Sequence, residues 1–173
     1  MSSWQKISQK KLLSGPEKIR AVALRYLARR HYSAAGLKQK LLERCSPEHV
    51  EEMTVHIDQT IAELCQERLI NEEKMVEAWV YYRQEHAVRS ASFVQRELVQ
   101  KGVDPDIVRD GLAQLYDEDK EDEVLLKAFL KEAAKKPPQQ EKQEIFWQNL
   151  VKRLARKGFS LDKIIDVVNK KRD

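Results

Sequence analysis

Leu41, Leu98 and Leu154 stand in nearly the same surroundings at an almost constant interval along the chain. The three stretches read LKQKLLERC (Leu37 to Cys45), RELVQKGV (Arg96 to Val103) and RLARKGF (Arg153 to Phe159). An echo at a fixed period signals stacked supersecondary units rather than one continuous core. Lys101-Gly102 and Lys157-Gly158 match directly, and Arg44-Cys45 takes their place in the first copy. With one residue deleted after Cys45, Ser46 coincides with Asp104 and Ser160, and Val50 with Val108 and Ile164. Each aligned position has a physical task. The glycine suits the left-handed residue that ends a helix, and the polar residue is an N-cap for the next one. Pro47 and Pro105 fall at the first helical position, where a missing N–H costs nothing. The copies therefore predict a helix, turn, helix unit.

A further helix precedes each copy. Ile19, Val22, Ala23, Tyr26 and Leu27 follow the i, i+3, i+4, i+7, i+8 template, as do Met75, Val76, Trp79 and Val80 in the second copy and Val124, Leu125, Ala128 and Phe129 in the third. After the turns come a long helix through Val50, Met53, Ile57, Ile61, Leu64 and Leu69, a shorter one through Val108, Leu112 and Leu115, and another through Ile164, Val167 and Val168. The expectation is an all-α fold of three tandem three-helix repeats forming an elongated, curved chain. Its divisions are an N-terminal basic segment (1–18), repeat 1 (19–70), repeat 2 (71–116) and repeat 3 (117–173). Within repeat 3 a flexible insert near 134–144 contains Pro137-Pro138, which no helix can run through. The composition agrees: 173 residues hold only 5 Gly and 5 Pro, and 35% are charged, a balance that favours helix over sheet.

The same sequence argues against several function classes. No apolar run approaches the roughly 18 to 20 residues of a membrane span, and the first residues, MSSWQKISQKKLLSG, lack the apolar centre of a secretory signal. A cytoplasmic protein is expected. The 2 cysteines, Cys45 and Cys65, form no CxxC and read as small buried hydrophobes. His49 and His56 are too far apart along a helix to share a metal as an i, i+4 pair would. No GxxxxGK[ST], GxGxxG or GxSxG is present. Neither metal nor cofactor nor catalysis is expected.

Charge carries more information. The formal net charge of +4 hides a segregation: residues 1–44 sum to +9, residues 45–123 to −12, and residues 124–173 to +7. Local potential, not net charge, steers encounter with a polyanion or a charged partner. At equivalent positions Lys40, Glu97 and Arg153 align, as do Arg44, Lys101 and Lys157, each pair spaced i, i+4 and so on one stripe of its helix. The outer copies offer two cations on that stripe, expected at the surface, while Glu97 is placed to neutralise Lys101. With Arg25, Arg29, Arg30, Lys38, Lys152 and Arg156 they make the candidate binding set: Arg25, Arg29, Arg30, Lys38, Lys40, Arg44, Lys152, Arg153, Arg156 and Lys157.

The ordered set ALRYLARRHYS (Ala23 to Ser33), LKQKLLERC, RLINEEKMVEAWVYYR (Arg68 to Arg83), RELVQKGV and RLARKGF resembles the RecX family, bacterial modulators of the RecA recombinase. The resemblance runs from about Ile19 to the C-terminus. It implies a non-enzymatic regulator of DNA repair and homologous recombination that lies along the RecA–DNA filament and inhibits its activities, ATPase and strand exchange. The implied partners are the RecA filament and single- or double-stranded DNA without sequence preference, with the chain acting as a monomer. Two other readings use the same residues: an independent, sequence-nonspecific nucleic-acid-binding protein, and a helical protein scaffold.

Overall fold

A computed structural model of the chain describes residue 13, residues 16–135 and residues 143–172. The described residues contain nine α-helices and no strand. They are α1 (Pro16–Leu27), α2 (Ala34–Leu42), α3 (Val50–Gln66), α4 (Glu72–Tyr82), α5 (Ala91–Gln100), α6 (Pro105–Leu115), α7 (Glu118–Ala133), α8 (Gln143–Arg156) and α9 (Leu161–Arg172). A 3₁₀ turn at Pro47–His49 leads into α3, and a π turn at Arg83–Ala87 follows α4. The N-terminal basic segment lies largely outside the described residues, as do Pro137 and Pro138 of the insert.

The chain divides into two compact units. One holds the described residues up to Met75 together with Lys101–Val103; the other holds Val76–Gln100 and the residues from Asp104 onward. In the first, α1, α2 and α3 enclose Ile19, Val22, Ala23, Leu37, Leu41, Met53, Ile57 and Leu64, with Leu13 and Ile70 at its edges. In the second, α4 to α9 bury Val76, Val80, Val94, Leu98, Val108, Leu125, Ala128, Leu150, Leu154 and Ile164. The repeated leucines Leu41, Leu98 and Leu154 are each 0% exposed, and burying one leucine is worth about 1.5–3 kcal/mol.

The aligned turns do what their residues suggest. Gly102 (φ 78) and Gly158 (φ 95) are left-handed. Asp104 caps α6, its carboxylate accepting from the Asp106 N–H at 2.8 Å, with Pro105 at the first helical position. Ser46 precedes the 3₁₀ turn without a side-chain bond.

Each glycine also answers a second demand. The Lys101 carbonyl accepts from Ser33 Oγ at 2.6 Å, and the same hydroxyl caps α2 by accepting from Gly36 N at 2.9 Å. A Cβ on Gly102 would come within 2.9 Å of the Ala35 Cβ. In the second unit the Lys157 carbonyl accepts from the Ser90 N–H at 3.2 Å, and Ser92 Oγ donates to the Gly158 carbonyl at 2.9 Å. A Cβ on Gly158 would collide with Ser90 Oγ and lie 2.8 Å from the Phe93 Cβ. The serine that starts one repeated helix thus grips the Lys-Gly turn of the following copy. In the first copy the Leu13 N–H donates to the Arg44 carbonyl at 3.1 Å. Cys45, which is not left-handed, needs no glycine.

Two expectations are corrected. The third helix stops at Gln66 rather than running to Leu69, because Arg68 turns left-handed (φ 57) and the N–H groups of Leu69 and Ile70 both return to the Leu64 carbonyl. That reversal exposes Leu69 and buries Ile70 in its stead. Cys65, on the last turn of α3, is exposed rather than buried.

Candidate functional site

Six of the ten candidate cations lie in the first unit. Lys38 on α2 is spent on Asp58 of α3, 2.6 Å away, and Lys40 on Glu43 at 2.7 Å. That bond to Glu43 raises the Lys40 ammonium above the ordinary lysine value against a smaller opposing effect of burial, and the phenols of Tyr32 and Tyr26 add to it. Arg44 is half-buried. Arg25 returns to its own helix, Nε donating to the Ala21 carbonyl at 3.3 Å. Arg29 and Arg30 follow α1 and are exposed; no described carboxylate pairs with Arg25, Arg29 or Arg30. The Arg30 guanidinium carbon sits 4.6 Å from the centre of the Tyr32 ring, and Tyr32 packs at 5.8 Å against Tyr26.

The other four belong to α8 and the turn that ends it, and they split into two faces. Lys152 and Arg156 are exposed and pair with no described carboxylate. Arg153 and Lys157, expected at the surface, turn inward instead. Glu132, near the end of α7, presents Oε1 3.4 Å from Lys157 Nζ and Oε2 3.4 Å from Arg153 Nε and 2.7 Å from Lys135 Nζ. The side chains of Glu132, Lys157 and Arg153 are 5%, 12% and 31% exposed. Lys157 also donates to the Ala87 carbonyl at 3.2 Å. Burial drags the Lys157 ammonium below its ordinary value, with Glu132 offsetting only part of the effect. Burial likewise pushes the Glu132 carboxyl up, but Lys135 and Lys157 outweigh it and hold the group below the usual carboxylate value. A buried carboxylate is tolerated only with such partners.

Glu132 is legible in principle. It follows Phe129 by three residues on the stripe Val124, Leu125, Ala128, Phe129, so an acid stands where the helical period calls for an apolar side chain. Glu97, expected to neutralise Lys101, is engaged by other partners. Glu97 is held by Arg83, Oε1 2.6 Å from Nη2 and Oε2 2.8 Å from Nε, and accepts from Trp79 Nε1 at 3.1 Å.

Among the described residues no group of His, Cys, Asp and Glu is arranged to hold a metal ion, and no helix is long and apolar enough to cross a membrane. The family model of the RecX first three-helix domain matches residues 20–53, spanning most of α1, the turn and α2. The "Regulatory protein RecX" of Mycolicibacterium vanbaalenii is 26% identical over 155 residues, covering 88% of this chain and 81% of that protein. That of Corynebacterium efficiens is 29% identical over 119 residues, covering 68% of this chain and 57% of its own length. The crystal structure of RecX from Lactobacillus salivarius superposes with a TM-score of 0.68 at 22% identity, over 90% of this chain and 95% of that one. A second RecX crystal structure gives 0.69 at 20% identity, over 90% and 73%. Helix order, the repeated turns and the matched sequence agree in making this chain similar to the RecX regulatory proteins.

Proposed function

We propose that this chain regulates a RecA-type recombinase by binding the recombinase–DNA filament and lowering its ATPase and strand-exchange activities, without catalysing a reaction of its own. The observation that carries this reading is the set of outward cations in each unit, Arg25, Arg29 and Arg30 in the first and Lys152 and Arg156 in the second, on a chain related to proteins named as regulators. Long-stemmed cations with no carboxylate partner suit a polyanionic filament better than an internal role. In this proposal the repeats 19–70, 71–116 and 117–173 are the modules that engage successive sites on the lattice. Weak individual interactions then benefit from effective concentration once the first has formed. The chain acts as a monomer in the cytoplasm. Lys38 and Lys40 are taken up by exposed ion pairs, Arg153 and Lys157 hold the buried Glu132, and the outward five meet the filament.

The test is DNA-dependent ATP hydrolysis and strand exchange by a bacterial recombinase with the protein added, alongside co-sedimentation with filaments. Both activities are expected to fall, with the protein found in the filament pellet. If excess protein changes neither activity and stays in the supernatant, the reading fails and a helical scaffold takes its place.

A further inference from the structure

The first unit carries an arrangement that charge alone does not explain. At the end of α1 and in the turn after it, Arg25, Arg29, Arg30 and His31 are all exposed. Two half-buried tyrosines lie among them, Tyr26 packed on Tyr32 at 5.8 Å, with the Arg30 guanidinium seated over Tyr32 at 4.6 Å. Both tyrosines rest on the apolar core of the unit, so the rings are held from below. Lys40 on α2 is tethered to Glu43 at 2.7 Å. A guanidinium over an aromatic face gains about 0.5–1 kcal/mol at an exposed site. It is also a flat, weakly hydrated surface, ready to stack on a second ring.

We infer that Tyr26, Tyr32 and Arg30 form a stacking platform for an unpaired base of single-stranded nucleic acid, with Arg25 and Arg29 taking the adjoining phosphates. Sequence-tolerant single-strand binding needs this combination: cations that follow the backbone and a planar group on which any base can stack. Arginine planes serve as stacking partners as aromatic rings do. The Tyr32 ring beneath holds Arg30, and Tyr26 braces Tyr32, so less side-chain freedom is lost on binding. A duplex offers the platform nothing but phosphates, because its bases are already stacked. The inference deepens the regulator reading by naming strand chemistry that one part of the chain recognises, and it is tested without recombinase.

The experiment measures fluorescence anisotropy of three labelled strands of equal length with the full chain alone: a thymidine oligonucleotide, an abasic phosphodiester strand, and a duplex. The oligonucleotide is expected to bind about tenfold more tightly than the abasic strand. Arg30→Lys keeps the charge and loses the plane. It should remove most of that tenfold preference while leaving abasic-strand binding unchanged, and Arg30→Ala should weaken both. Arg30 is exposed, so helix content should match the wild type in both variants. Equal binding of the oligonucleotide and abasic strands, or an unaltered preference in Arg30→Lys, overturns the platform and leaves only electrostatic attraction. Failure to bind any strand while recombinase inhibition remains sensitive to Arg30→Lys also overturns it, assigns the surface to a protein partner, and leaves the regulator reading standing.

Discussion

At the scale of single residues, Glu132 shows how a cation's position decides its use. Arg153 and Lys157 stand one turn apart and read in sequence as an outward pair, yet both face the one buried carboxylate of α7. Removing one partner of a buried pair costs about 3–5 kcal/mol, because it strands the opposite charge. Glu132→Gln should therefore lower stability by about that amount at neutral pH, read as a shift in urea midpoint. The pH dependence has a definite sign. The folded value of Glu132 lies below its unfolded one, so its contribution is present above the ordinary carboxylate range and is lost as pH falls through the depressed value. The gap between wild type and Glu132→Gln should narrow steadily below about pH 4.3, the usual glutamate value. A gap that holds constant through that range would show that the carboxylate's charge contributes nothing. Lys157 has the same sign in an alkaline window: its folded value is also lowered, so stability gains as pH rises through that value toward the ordinary lysine range.

At the scale of the element, the repeated turn is legible in the sequence and its reason is not. Leu41, Leu98 and Leu154 and the left-handed glycines follow from local periodicity and turn chemistry, and the structure places them as that chemistry requires. The close approach of Ser33 to Lys101 spans 68 residues of sequence, and no local pattern encodes such a partner. Separation along the chain likewise hides Glu132 from the spacing of Arg153 and Lys157. Leu69 escapes a reading by periodicity because Arg68, a residue with no special liking for a positive φ, ends α3 where a glycine would have announced it. The interlock makes unequal demands on the three copies. Gly158→Ala meets both a left-handed backbone, at about 1–2 kcal/mol, and a collision with Ser90 and Phe93, at about 1–3 kcal/mol. It should destabilise the chain by about 2–5 kcal/mol in chemical denaturation. Cys45→Gly, at the aligned position without either demand, should cost about 1 kcal/mol through lost burial and added backbone freedom. Equal costs at the two sites would mean that the glycine serves only the turn and not the serine behind it.

At the scale of the whole molecule, the segregation of charge along the sequence is partly undone by folding. Arg20 and Lys38 of the basic first segment pair with Glu67 and Asp58 of the acidic middle, and Lys127 and Lys163 of the basic last segment pair with Glu85 and Asp122. These pairs are exposed, and each is worth at most about 1 kcal/mol to stability; their larger effect is to cancel field. Much of the +9 and +7 read from the sequence is thereby spent inside each unit. The outward cations that keep their field are few, and that makes the regulator reading sharply testable. Replacing Arg29, Lys152 and Arg156 together by Glu should leave stability within about 1 kcal/mol, as surface changes away from caps and cores do, while filament co-sedimentation falls. If those side chains meet phosphates, neutralising Lys152 and Arg156 to Gln should flatten the plot of log affinity against log salt. The slope should change by about 0.9 for each phosphate of a duplex that is no longer neutralised, or by about 0.7 for each phosphate of a single strand. Neutralising Arg153 and Lys157 should instead lower the urea midpoint and leave the salt slope of the folded fraction unchanged. An unaltered slope in the first variant together with a flattened one in the second would place the binding face on the inward pair, and would require Glu132 to release them when the filament is bound.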